Sequence, residues 1–201
     1  VTTTTATTLD DNDIVRAWLP QYIGLHGFAG AGKDSVAKVL EHYGYTRIAF
    51  ADVLREALYV LNPIVLYSPD AEGDLRVQDI VDNSGWDTAK REYEEIRRLL
   101  QVLGTEVGRE MISQNVWVDS VFKKLEEDKK YVFTDVRFVN EHHAIDSRLG
   151  LLIKVDRPGV GPVNDHKSDK GLPGEWFDAK IVNDGTLEDL NTKVREILRH
   201  A

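Results

Sequence analysis

Lys33 stands at the exit of a glycine-rich turn, Gly27-Phe28-Ala29-Gly30-Ala31-Gly32, with Asp34 and Ser35 directly after it. Three glycines within six residues allow backbone angles that other residues resist, and let main-chain N–H groups approach an anion closely. A lysine at the exit adds a mobile ammonium suited to the β- and γ-phosphates of a nucleotide. The spacing is G-x-x-x-x-G-K, followed by aspartate where a magnesium-binding hydroxyl is usual. Gly27, Ala29, Gly30, Ala31, Gly32, Lys33, Asp34 and Ser35 are therefore the candidate ATP-binding residues. Two roles stand for Asp34. It replaces the missing hydroxyl as a magnesium or water ligand, or it only complements the positive end of the helix that follows. Ser35 can donate to a phosphate oxygen instead.

Such a turn works only when a strand delivers it and a helix follows. The apolar run Tyr22-Ile23-Gly24-Leu25 predicts the strand, and Val36, Ala37, Val39 and Leu40 predict a helix over 33–43, closed by Gly44. Further strands are expected at 46–50, 131–134, 151–155 and 179–182. Helices are expected at 53–61, capped by Asp52, and at 87–103, 140–149 and 186–199. Two more, 105–112 and 116–127, are set off by breaks near Gly104 and Asn115. The pattern is weak over 63–85, which reads as loop, and 157–173 is too long for a plain connector. A short helix at 13–18 leads in. Strands alternating with helices give an α/β fold with a parallel sheet, and place ligands at the carboxyl ends of the strands.

The chain has 201 residues, expected to form one domain over 22–201 with a partly flexible extension over 1–21. A net charge of −9, from 25 basic and 34 acidic residues, argues against a broad surface for polymeric nucleic acid. A small phosphorylated ligand needs only a few local cations. Absence of cysteine excludes disulfides, thiolate metal sites and a cysteine nucleophile. No apolar run approaches the roughly 20 residues that span a bilayer, so no membrane partner is expected. Val1–Thr8 is mostly threonine and reads as a flexible tail, not a signal peptide.

A set of short stretches carries a resemblance. They are Gly27–Ala37, Phe50-Ala51-Asp52 with Leu54-Arg55, Gly85-Trp86-Asp87 with Lys90, and Arg98-Leu99-Leu100-Gln101 running to Gly104-Thr105-Glu106 and Gly108-Arg109. Asn115-Val116-Trp117, Thr134–Phe138 with Asn140-Glu141, Arg157-Pro158-Gly159, His166 with Ser168, and Asn183-Asp184-Gly185-Thr186 complete it. Together they resemble the phage-type deoxynucleoside monophosphate kinases. That resemblance implies a three-layer P-loop kinase fold with a five-stranded parallel sheet, a helical acceptor-binding insert over about 52–128 and a lid over about 157–175. It implies transfer from ATP to a deoxynucleoside monophosphate with Mg²⁺, in the cytoplasm (the host's, if phage-encoded), by a homodimer. In that family the G-K-D form of the turn is usual. Two alternatives stand beside it: another small-molecule kinase resembling dephospho-coenzyme A kinase, and a nucleotide-binding switch without an acceptor.

Phosphoryl transfer needs in-line positioning and neutralisation of spreading negative charge more than covalent help. The expected catalytic set is Lys33, Asp52, Arg137 and Arg157. Asp135, after the apolar Tyr131-Val132-Phe133, suits magnesium and joins Asp34 as a candidate metal ligand; capping a helix is its other reading. Guanidinium groups pair bidentately with phosphate, which selects Arg55, Arg98, Arg109 and Arg137 for the acceptor, with Asp52, Gln101 and Trp117 beside them. Asp52 serves as general base, sugar-hydroxyl ligand or helix cap. Trp117 or Trp86 stacks on a base or fills a core. Arg157 and Lys167 belong to the lid. His142-His143 lack convincing ligand spacing for a metal.

Overall fold

The computed structural model describes residues 19–67, 73–161 and 171–201. The expected helix at 13–18, the threonine tail, His166, Lys167 and Ser168 lie outside the described residues. In chain order, β1 (Tyr22–His26), α1 (Lys33–Glu41) and β2 (Tyr45–Ile48) come first. Next are α2 (Phe50–Leu61), β3 (Ile64–Leu66), β4 (Leu75–Arg76), α3 (Val77–Glu92), α4 (Glu94–Gln101), a π-helix (Val102–Ile112) and α5 (Val116–Phe122). Then follow β5 (Lys130–Phe133), α6 (Val139–Asp146), β6 (Leu151–Asp156), β7 (Ala179–Val182) and α7 (Leu187–Arg199).

The five longer strands form one all-parallel sheet in the order β2-β5-β1-β6-β7. β1 is central and covered on both faces: Ile23 and Leu25 are fully buried on one, and Gly24 is buried against Ile145 and Val136 on the other. Gly24 is part of that fit, since a side chain there would meet Leu152 and Ile145 within 2.8 Å. Pairing of Gly24 with Phe133 and of His26 with Lys154 sets the carboxyl ends of β5 and β6 beside that of β1. The segments after these three strands are therefore neighbours. The core joins Val36, Ala37 and Leu40 of α1 to Leu190, Val194 and Leu198 of α7 through the strand residues.

The chain divides into two compact units, Ala49–Leu125 and the remainder, which carries the sheet. Within the helical unit, Ile80, Ala89 and Ile96 form a core against Val65, Leu75, Trp86 and Leu100. The loop expected over 63–85 is corrected: β3 and β4 pair as an antiparallel hairpin, and α3 begins at Val77. That helix bends at Gly85, whose φ of 72° is not helical, which blurs its periodicity in sequence. The expected break at Gly104 is also absent. The chain widens into a π-helix instead, with Ser113 N–H donating to Gly108 O five residues back at 3.0 Å. α2 starts three residues earlier than expected, and Asp52 is its third residue, not its cap. The carboxylate accepts from Ala49 N–H at 2.8 Å, satisfying the same orphan donor from inside the helix. Among the described residues no helix is long and apolar enough to cross a membrane.

Candidate active site

Two glycines show why the turn after β1 has its composition. Gly27 has φ 157°, and a side chain there would drive into the carbonyl oxygen of Val155 on β6. Gly32 caps α1 with φ 101°, and a side chain there would strike the amide of Asn183. That amide donates to Ala31 O at 2.9 Å, so Asn183, just past β7, braces the turn from behind. Arg157, expected in the lid, reaches the same turn: Nη1 donates to Gly30 O at 3.5 Å.

Lys33 is held over the turn, its ammonium donating to Gly27 O at 2.7 Å and Phe28 O at 2.9 Å. Burial lowers its pKa, the nearby Arg137 charge lowers it further, and Asp34 and Asp135 oppose both. All three charges therefore act on Lys33 at the carboxyl end of the sheet. The turn that carries Asp135 and Arg137 is fixed by its neighbours. Glu141, 2% exposed, accepts from Arg137 N–H at 2.8 Å and Phe138 N–H at 3.0 Å, while Val136 is fully buried.

Magnesium takes oxygen ligands, prefers to keep waters and shares substrate phosphates. The described residues contain no cluster of three or more metal-binding side chains, so they build no closed cage. Two hard carboxylates within electrostatic reach of Lys33 do fit that open style of site. Asp34 is bound to Arg47 of β2 at 3.1 Å and largely exposed, which ties one of its oxygens to a guanidinium.

A family model described as deoxynucleotide monophosphate kinase matches residues 68–194. The chain belongs to the deoxynucleotide monophosphate kinase family. The kinase of that name from Escherichia phage RB69 is 37% identical over 109 residues, covering 52% of this chain and 45% of the phage protein. That from Enterobacteria phage T4 is 28% identical over 165 residues, covering 77% of this chain and 68% of the other. The chain thus spans less than half the length of the RB69 protein in that match. A dephospho-CoA kinase from Campylobacter jejuni superposes with a TM-score of 0.48 at 12% identity, covering 90% of this chain and 97% of that one.

The helical unit of this family member holds the remaining candidates. Arg55 pairs with Asp52 at 2.9 Å, one turn apart on α2 and both partly exposed. With Ala49 N–H on its other oxygen, the Asp52 carboxylate serves the helix start and Arg55 together. Arg98 is exposed and doubly bonded to Glu95 at 2.7 Å, whereas Arg97 turns to the carbonyl of Lys90, so the adjacent arginines do diverge. Gln101 is exposed at the end of α4. Arg109 Nη1 and Trp117 Nε1 both donate to Gly104 O, at 3.0 and 2.8 Å. Trp117 is 7% exposed and its ring lies where a Gly108 side chain would be. Its ring thus serves the core of this unit, the second of the two readings open to it. Trp86 likewise packs into the local core.

Sequence reasoning passed over four residues that shape the sheet-unit site: His26, Arg47, Glu141 and Asn183. His26 and Asn183 had a signal, the one flanking the first glycine and the other sitting in a family-like stretch. Glu141 also sits in a family-like stretch, whereas Arg47 had no signal beyond polarity on a strand.

Proposed function

We propose that this chain transfers the γ-phosphoryl group of ATP to a deoxynucleoside 5′-monophosphate. An oxygen of the acceptor phosphate bonds to the γ-phosphorus, the bond from that phosphorus to the bridging β-oxygen breaks, and ADP leaves with the electron pair. The observation that carries this reading is the Lys33 ammonium, set over a glycine turn in the shared field of Asp135 and Arg137.

In this reading the N–H groups of Gly27–Ser35 receive the donor phosphates, and Lys33 exchanges two loop carbonyls for phosphate oxygens. Arg137 and Arg157 offset charge as it spreads over the transferring group. Asp135, with Asp34, would hold magnesium, which when bound neutralises the β- and γ-oxygens. The acceptor's phosphate is assigned to Arg55, Arg98 and Arg109, with Asp52 and Gln101 toward its sugar. We carry over from the resemblance a homodimer at work in the cytoplasm, without polymeric nucleic acid or membrane.

The test is incubation with ATP, Mg²⁺ and each deoxynucleoside monophosphate in turn, reading diphosphate formation, with dephospho-coenzyme A as a parallel acceptor. At least one deoxynucleotide should be converted, with little ATP lost when no acceptor is present. ATP hydrolysis indifferent to every deoxynucleotide would overturn the reading.

A further inference from the structure

His26 ends β1, one residue before the glycine turn, and is 6% exposed. Its Nδ1 lies 2.8 Å from Val136 O, the carbonyl between Asp135 and Arg137. A carbonyl only accepts, so Nδ1 carries the proton and Nε2 keeps a lone pair. The Leu172 N–H donates toward that lone pair at 3.4 Å. The ring face lies on Phe177, centroids 5.0 Å apart and planes 19° from parallel. Phe177 meets His142 edge-on at 6.0 Å, and His142 Nε2 donates to Trp176 O at 2.8 Å. One imidazole therefore fastens the end of β1, the Asp135–Arg137 turn and the strap of residues 171–177.

We propose that His26 is a positioning residue for phosphoryl transfer, its neutral Nδ1–H form locking the Asp135–Arg137 turn and the 171–177 strap against the glycine turn. This rests on the kinase reading of the same site. It acts through Arg137 and Lys33, not on substrate. Protonation puts a hydrogen on Nε2, so that two donors face each other at Leu172 and the strap contact is lost. Burial lowers the pKa of the ring; among the described charges that act on it, Lys154 and Lys33 lower it and Asp156 opposes them. The Val136 bond also favours the charged form, because a charged ring's Nδ1–H donates more strongly to that carbonyl than a neutral one does.

The first measurement needs no variant: long-range proton–nitrogen correlation spectra of the wild-type chain. Nδ1 should carry the proton and Nε2 should be bare at neutral pH. The acid limb of wild-type kcat should coincide with the ring's titration in those spectra. The second is His26→Asn, whose amide N–H can still donate to Val136 O while its oxygen stops short of the Nε2 position facing Leu172, and which has no ring for Phe177. Its kcat should fall about tenfold, since small displacements of catalytic groups carry costs of that order or more. Its deoxynucleotide KM should hold, and the acid limb should vanish. A protonated Nε2, an acid limb that does not follow the ring, or wild-type kcat in His26→Asn would each overturn the proposal. If His26→Asn does not fold, the wild-type spectra and acid limb decide alone. A wild-type chain that phosphorylates no deoxynucleotide defeats the kinase reading, whereas the tautomer is read independently of activity.

Discussion

At the scale of single residues, Lys33 makes a prediction with a definite sign. Burial and the Arg137 charge disfavour its ammonium, so its folded pKa lies below the ordinary lysine value. In the ligand-free protein this costs stability while Lys33 is charged. That cost disappears as pH rises through the lowered pKa toward the unfolded value. ATP reverses the sign, since its phosphates favour the charged form. ATP affinity should therefore decline with rising pH earlier than an ordinary lysine allows, and binding in that range should take up a proton. Calorimetry from about pH 7 to about pH 10, in buffers of differing ionisation enthalpy, reads both effects. Lys33→Arg stays charged throughout that range and should abolish the decline even if it binds more weakly. Lys33→Met should lose at least about a hundredfold in kcat, the order expected for removing one donor from a charge-stabilising site. An ATP affinity flat with pH in the wild type would show that the ammonium does not face the phosphates.

Elements test whether the turn is held from outside as well as by its own glycines. In Gly32→Ala the new methyl meets two obstacles, a left-handed backbone angle and the Asn183 amide. Asn183→Ala removes only the brace, about 1 kcal/mol by the usual worth of one hydrogen bond. The double variant relieves the clash but not the backbone strain. ATP-binding losses should therefore combine less than additively, and a double-mutant cycle reads the difference. Strict additivity would mean that Asn183 does not touch the turn as described. The same elements mark what was legible in the chain. The turn, its flanking strand and helix, and all five strands of the sheet follow from short apolar runs with hard punctuation, because a parallel sheet buries both faces and leaves a strong mark. The helical unit was read less well. The π-helix satisfies its backbone without a break in apolar spacing, so Gly104 looked like punctuation when it is a packing surface for Leu54. Asp52 was read as a cap because its type fits one, and a third-position carboxylate does the same work. Asn183 and His26 act across more than a hundred residues of sequence, where no local pattern reaches.

The whole molecule carries net charge −9, yet the proposed substrates are both anions. Attraction must then be local, built by a few cations whose field outweighs the general repulsion at short range. Duplex DNA, which needs a long basic face, should not bind even at low salt, and a salt-sensitive mobility shift would contradict this. The two compact units allow a sharper prediction, because the donor residues all lie in the one with the sheet and most acceptor candidates in the other. At a hundredfold excess over its dissociation constant, a ligand stabilises the native state by about 2.7 kcal/mol. Amide hydrogen exchange can locate that gain. ATP with Mg²⁺ should slow exchange in residues 27–36 and 134–138, and a deoxynucleoside monophosphate alone should slow it around 52–55 and 98–109. A deoxynucleotide that slows exchange only in residues 27–36 and 134–138 would dismiss the arginines of α2, α4 and the π-helix as the acceptor's anchors. It would leave Arg137 as the one acceptor arginine still standing, while the donor half of the mechanism would be untouched.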